Sequence, residues 1–298
     1  MDPPRISLFS TPLVATWVLD DTHRILFDAG DGVVANLDAR IHRIRAVALT
    51  HAHRDHCSGL LQLLNLTGGS GGQAVLYPGG SGALRTLSAF LSGFDAKTTG
   101  KVAWRPMNDG GTMDIEPPRH FLRAFATAHY PRPDPPRCMS LGYQVVRYVD
   151  RVRPELRDLP REELDCLRRQ YGKEHITHTV EDVLLSVTGD TTPLDPKLFA
   201  GSRVLLHECT FLDCDETREM AERGHPHSSL EDALRAARIA QVEYLGLYHI
   251  SRRYDDATVL NAVRDACAGL GIGAKVSVAL PGRFYEDLFA VRVWDGQA

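Results

Sequence analysis

Residues 49–61 read LTHAHRDHCSGLL, with three histidines and an aspartate between positions 51 and 56, directly after the apolar run RAVALT (45–50). A short apolar run of this kind predicts a buried strand, and SGLLQLL beyond it has helical character. The four polar residues therefore fall where a strand becomes a loop. An alternation of two along the chain puts His51 and His53 on one side, able to share a metal ion. Asp55 and His56 then turn toward a second ion. Imidazole and carboxylate donors suit zinc, with manganese or iron also compatible. A lone core histidine needs only a hydrogen bond; four such residues in six positions after a buried strand call for a metal.

The stretch alone supplies too few donors for two ions. The chain has 13 histidines. His23, His42, His120, His175 and His178 stand in polar or turn settings and are expected at the surface. His129 follows FATA, His249 follows YLGLY, and Asp190 ends SVTGD, so each sits where a strand meets a loop. A coherent set results: His51, His53 and His129 on one ion, Asp55, His56 and His249 on the other, and Asp190 bridging. Two ions about 3.5–4 Å apart can share a hydroxide, because metal binding lowers the pKa of water from about 15.7 towards about 7. The motif does not say whether the electrophile is a lactam, a lactone, a thioester or a phosphodiester.

The rest of the chain alternates strands and helices. RISLF, LVATWVL and RILFDAG (5–30) read as successive strands separated by turn-prone residues. A glycine-rich loop, TGGSGGQ (67–73), leads to the strand AVLYP and the helix GALRTLSAFLSGF. VLLSVTGD (183–190), SRVLLHECTF (202–211) and YLGLYHI (244–250) are further buried strands. LEDALRAARIAQV has apolar residues at helical spacing, and Ser228 with Glu231 forms a capping box ahead of it. DDATVLNAVRDACAGLG (255–271) is a helix ending at glycine. This alternation in both halves predicts a layered α/β fold, two central sheets flanked by helices, and the length suits one domain over 1–298.

Two segments break the pattern. YPRPDPPRCM (130–139) carries four prolines and must be a loop. Residues 148–175 are dense in both charge signs and hold a short amphipathic helix: Pro160 suits its first turn, Leu164, Leu167 and Tyr171 share a face, and Gly172 terminates it.

The net charge of −4 excludes a global positive field for nucleic acid, so such a substrate needs a local patch or metal ions. Six cysteines lie scattered, without a Cys-x-x-Cys pair, and Cys57 and Cys209 are expected as small buried fillers. The start MDPPRISLFS lacks a basic and apolar leader, and no run of eighteen apolar residues occurs. A cytoplasmic protein with reduced thiols and no membrane partner is the expectation.

THAHRDHCSG resembles the signature of the metallo-β-lactamase superfamily, and Asp28 in LFDAG matches the aspartate that orders its ligand loop. Within it the chain resembles ribonuclease Z, the tRNA 3′-processing endonuclease. SVTGDTT is similar to that family's bridging-aspartate motif, and VLLHECTF to its His-Glu-Ala-Thr-type motif, which places the glutamate at Glu208. RGHPHSS looks like its Gly-His-Ser/Thr element, placing the histidine at His227. LGLYHISRRY resembles its final ligand motif, with Arg253 and Tyr254 as trailing matches and candidates for substrate contact. SLGYQVV is similar to the stretch after the third ligand motif. The resemblance implies an αββα four-layer sandwich with two mixed sheets, a dinuclear zinc site, precursor tRNA as substrate, and a homodimer. It also implies that 148–175 is a short form of the arm that grips tRNA. There Arg168 and Arg169 can contact phosphates, although Glu162, Glu163 and Asp165 oppose them.

Glu208 and His227 supply what a phosphodiesterase needs and a lactonase needs less. A ribose alkoxide leaves poorly, so an acid should protonate it; His227 held by Glu208 can do so, with Asp55 as the base that orients the hydroxide. His225 competes with His227 for that role, and a histidine at a helix start can simply cap its own backbone. His207, on the other side of its strand from Glu208, reads as structural. Two other readings stand beside the tRNA endonuclease. One is a small-substrate hydrolase with the same site, acting on a cyclic nucleotide, another phosphodiester or a lactone. The other is a non-catalytic binding protein.

Overall fold

The computed structural model describes residues 3–116, 119–130 and 137–296. Most of the proline-rich loop at 130–139 therefore lies outside the described residues. Among those described, the strands form two seven-stranded sheets. The first holds β1 (Ile6–Thr11), β2 (Ala15–Asp20), β3 (Ile25–Phe27), β4 (Ala46–Ala48), β5 (Ala74–Pro78) and β6 (Ala103–Met107). The second holds β7 (Thr112–Glu116), β8 (His120–Ala126), β9 (Leu141–Val152), β10 (Thr177–Val187), β11 (Ser202–Glu208), β12 (Tyr244–Tyr248) and β13 (Lys275–Val278). β14 (Phe284–Tyr285) returns to pair with β1 at the edge of the first sheet. Each sheet is antiparallel in its earlier strands and parallel in its later ones: β3 to β6 run alike, as do β10 to β13.

Alternation along the strands builds four layers. Val18 faces inward while its neighbours Trp17 and Leu19 face the helices, and Leu206 faces inward while Leu205 faces out. The inner faces meet in a shared apolar core that includes Ile6, Leu8, Phe27, Leu76, Leu122, Tyr143, Leu185 and Leu206. Phe27 and Tyr143 touch across the sheets with ring centroids 6.1 Å apart, and the Tyr143 hydroxyl donates to the Leu49 carbonyl at 2.8 Å. Outside the first sheet pack Leu60, Leu64, Leu84 and Leu91 from the helices Leu60–Thr67 and Gly82–Phe94. Outside the second pack Leu230, Leu234, Val259 and Val263 from Leu230–Ala240 and Asp256–Leu270. Each such buried leucine contributes about 1.5–3 kcal/mol relative to exposure.

Several local expectations shift. The capping box belongs to Ser229 and Asp232, one residue later than expected. Ser228 is unavailable because its amide donates to Glu208 and its hydroxyl to the Thr191 carbonyl. His23 is buried, its Nδ1 2.6 Å from Asp20 Oδ2, and its ring lies against a half-buried His120. His178 is half-buried, whereas His42 and His175 are exposed. Cys209 is buried and Cys57 only partly so; all six cysteines are free thiols.

The charged segment is an extension of the sheet. β9 and β10 pair from Val187↔Tyr143 out to Thr177↔Val152 and carry the helix Arg161–Tyr171 beyond their tips, with no buried residue in it. No helix among the described residues is long and apolar enough to cross a membrane.

Candidate metal centre

The parallel strands aim their carboxyl ends at one edge of the sandwich, where open α/β sheets place their ligands. His51 follows β4, Asp190 follows β10, Glu208 ends β11 and His249 follows β12. His129 follows β8, which runs in the same sense as β10. His53, Asp55 and His56 come from the loop and single helical turn Arg54–Cys57.

These residues meet. His51, His53, His129 and Asp190 form one donor group, and Asp55, His56 and His249 another, each with donor atoms within 4.8 Å of one another. Asp190 lies between them: its Oδ2 is 3.4 Å from His56 Nε2, 3.4 Å from His249 Nε2, 3.7 Å from His51 Nε2 and 4.0 Å from His129 Nε2. Asp55 Oδ2 is 3.7 Å from His56 Nε2 and 3.8 Å from His249 Nε2.

The outer nitrogens of the rings are held. Asp28 takes the His56 Nδ1–H at 2.7 Å and the Thr50 hydroxyl at 2.8 Å. Because Thr50 donates to Asp28, it accepts from His51 Nδ1, 2.9 Å away. The second sheet repeats the device: Glu208 Oε2 takes the Thr210 hydroxyl at 2.8 Å, so Thr210 accepts from His249 Nδ1 at 3.0 Å. His129 Nδ1 donates to the Pro226 carbonyl at 3.0 Å. Each relay fixes a tautomer with its Nε2 lone pair turned inward.

The inward atoms fit a metal. His51 Nε2, His56 Nε2, His249 Nε2 and Asp190 Oδ1 are buried without a hydrogen-bond partner among the described residues. Burying such groups unsatisfied is costly, and a nitrogen and carboxylate donor set resolves it by coordination. Burial and the nearby His56 charge hold the His51 imidazole well below the usual histidine range, and burial holds His129 at about 4. Neutral imidazole is the ligating form, and His51 and His129 are held in it. His56 differs, because burial pulls it down but Asp190 and Asp28 outweigh that and raise it, so it must give up a proton to ligate. Burial pushes Asp55 up, but the hydrogen bond and charge of His249 and the charge of His56 outweigh it and hold the carboxyl at about 2.

Glu208 is fully buried and saturated. Its Oε1 accepts from the Thr191 and Ser228 amides and from His227 Nδ1 at 2.9 Å, and its Oε2 accepts from the Thr210 amide and hydroxyl. Burial opposes ionisation, yet the His227 charge and hydrogen bond hold the carboxyl below its usual range. Reciprocally, burial pulls His227 down, but the Glu208 charge and hydrogen bond raise it to about 9. His227 lies beside the donors, its ring 5.0 Å from His129 and stacked 5.3 Å from His249. His225 is exposed, its amide closing the preceding helix on Met220. His207 is buried and donates from Nδ1 to the Glu208 carbonyl at 2.7 Å.

The other sequence candidates divide. Arg253 and Tyr254 lie on the His227 side: both bond Glu216, and Arg253 sits 5.3 Å over the Phe211 ring, which faces His227 edge-on at 6.1 Å. Arg168 and Arg169 are not brought to the cluster. β9 starts beside it, with the Leu141 amide on the Thr50 carbonyl, and runs 12 residues away. At about 3.3 Å per residue the arm begins about 35 Å off. Sequence reasoning missed Thr50 and Thr210, which are marked only by standing next to His51 and two residues after Glu208.

Comparison with known proteins agrees with this layout. A family model described as a beta-lactamase superfamily domain matches residues 23–152. The structure of human tRNase Z, short form, superposes with a TM-score of 0.59 at 18% identity, covering 94% of this chain and 98% of that one. Ribonuclease Z of Methanopyrus kandleri is 29% identical over 249 residues, 81% of this chain and 82% of the relative. Ribonuclease Z of Aeropyrum pernix is 30% identical over 276 residues, with the same 81% and 82% coverage.

The chain belongs to the ribonuclease Z family. Its four layers are the metallo-β-lactamase fold, and as a ribonuclease Z-family protein it is a metal-dependent hydrolase. The two donor groups flanking Asp190 fit a dinuclear centre.

Proposed function

We propose that this ribonuclease Z-family chain, as one domain, is an endonuclease that cuts a phosphodiester at the 3′ side of precursor tRNA and leaves a 3′-hydroxyl on the tRNA. His51, His53 and His129 would hold one zinc ion and Asp55, His56 and His249 the other, with Asp190 between the two groups. When bound, the ions supply Lewis-acid polarisation of the phosphodiester and a lowered pKa for water.

The observation that carries the phosphodiester reading is the 2.9 Å contact between Glu208 and His227 beside the donors. His227, held by Glu208, donates a proton to the departing ribose oxygen. Glu208 touches no substrate; it orients the ring and raises its proton affinity. Asp55, ionised and gripped by a backbone amide, accepts a hydrogen bond from the attacking water and orients it. Asp28 fixes His56 directly and His51 through Thr50.

The arm, about 35 Å from its own cluster, serves a second copy in a homodimer, with Arg168 and Arg169 on tRNA phosphates. Arg253 and Tyr254 line the leaving-group side. We place the protein in the cytoplasm, where free thiols persist.

The test incubates the zinc-loaded protein with a 3′-extended precursor tRNA and a cyclic nucleotide over a salt series. Cleavage at the discriminator base that weakens steeply with salt supports the reading. Turnover of the cyclic nucleotide alone replaces it with the small-substrate hydrolase, and no turnover with metal bound leaves a binding protein.

A further inference from the structure

Between β1 and β2 the chain turns through Thr11, Pro12, Leu13 and Val14, and the Val14 amide donates to the Thr11 carbonyl at 3.0 Å. Leu13 has φ +67°. With proline ahead of it this is a type II turn, whose third position ordinarily carries glycine. A leucine there sets its Cβ against the following carbonyl. Packing within the chain does not offset that strain, because the Leu13 side chain is 93% exposed. Its amide, by contrast, is committed: it donates to Asp55 Oδ2 at 2.9 Å. The turn is thus fastened by its backbone to a donor residue and leaves a large apolar side chain in solvent.

Glycine would make the same turn and the same amide contact. The leucine side chain, on a residue whose amide is bonded to Asp55, is therefore free to meet something that arrives from outside. We propose that Leu13 is an apolar wedge for RNA. It packs against the unpaired nucleobase beside the scissile phosphodiester and parts that nucleotide from its stacked neighbour, so that the phosphodiester enters the cluster. The proposal rests on the RNA reading above. Aliphatic side chains act in this way between stacked bases, and unpaired, splayed bases are the usual targets of RNA recognition.

The experiment uses the metal-loaded protein and its L13G, L13A and L13M variants. The substrate is a 3′-extended precursor tRNA with 2-aminopurine next to the scissile bond, and p-nitrophenyl phosphodiester is the small comparison. The expected L13G protein melts at or above the wild-type temperature. Its KM for the RNA rises about tenfold, the order of a lost base contact, with a smaller change in kcat. The fluorescence rise of 2-aminopurine on binding, present in wild type and L13M, is reduced in L13A and lost in L13G. Wild-type KM and fluorescence in L13G overturn the wedge. So does an equal loss on both substrates with falling metal content, which makes the turn a mere support for Asp55. A dimer that dissociates on L13G overturns it as well, by giving the side chain to a second copy. Wild-type protein that neither binds nor cleaves the RNA defeats the RNA reading and the wedge with it; RNA-active wild type beside an unaffected L13G defeats the wedge alone.

Discussion

Asp28 and Glu208 are counterparts, one from each sheet: each is a buried carboxylate that grips one imidazole directly and a second through a threonine hydroxyl. Direct contact holds His56 and His227; Thr50 and Thr210 pass the grip to His51 and His249. Replacing either threonine by valine keeps the shape and breaks the relay. T50V and T210V are each expected to weaken zinc affinity about 10–100-fold, measured by competition with a chromogenic chelator. Unchanged affinity in both would remove the relays from metal binding.

His227→Ala separates leaving-group protonation from the rest of the reaction. Loss of a general acid costs about 10²–10⁴-fold in rate. That loss is expected on precursor tRNA and not on p-nitrophenyl phosphodiester, because nitrophenolate leaves without a proton. Equal losses on both substrates would contradict the assignment.

The same pair sets a pH dependence. His227 is raised to about 9, so its proton stabilises the fold fully below the unfolded histidine value near 6.5, and that stabilisation is lost as pH rises through about 9. In metal-depleted protein the melting temperature should fall across this window, and His227→Ala should flatten the fall. Glu208→Gln removes the charge that raises His227, so the alkaline limb of RNA cleavage moves to lower pH. It also places an amide against the Thr191 and Ser228 amides, at a cost of about 2–4 kcal/mol. A Glu208→Gln enzyme with the wild-type alkaline limb would show that His227 does not titrate in the reaction.

Gly30 lies behind the donor loop where a Cβ would stand 2.2 Å from the Asp55 carbonyl and 2.5 Å from the Thr16 amide. Gly30→Ala must move backbone on one side or the other. A loss of more than about 2 kcal/mol is expected by denaturant melt, with weaker zinc binding because Asp55 is displaced.

No residue of the arm helix is buried, so replacing residues 154–175 by a two-residue turn, with the buried Ile176 kept, should leave the melting temperature and nitrophenyl-diester turnover near wild type. Cleavage of precursor tRNA should fall, and the salt dependence of RNA binding should become shallower as phosphate contacts are lost. An unchanged salt slope would take the arm out of RNA binding.

Much of the layout was legible because continuous apolar runs and period-3.6 patterns report burial directly, as in RAVALT and LEDALRAARIAQV. The donors were legible for a different reason: imidazoles and carboxylates at strand ends have few structural uses. What stayed hidden depends on contacts distant in sequence. The capping box slid by one residue because Ser228 is bound to Glu208 and Thr191, and no local pattern reveals that. His23 looks like a turn residue until Asp20 and His120 close over it. Residues 148–152 and 177–182 carry strand pairing behind a highly charged exterior, since a ribbon projecting from a sheet has no core to make it apolar.

The donors span His51 to His249 and descend from both sheets, which meet in the shared core containing Phe27 and Tyr143. No fragment carrying one sheet can assemble the cluster. Tight binding of the metal pair is therefore a signal that the two halves have docked, and a half-folded chain stays chemically silent: the nuclease is armed only by its own completed tertiary structure.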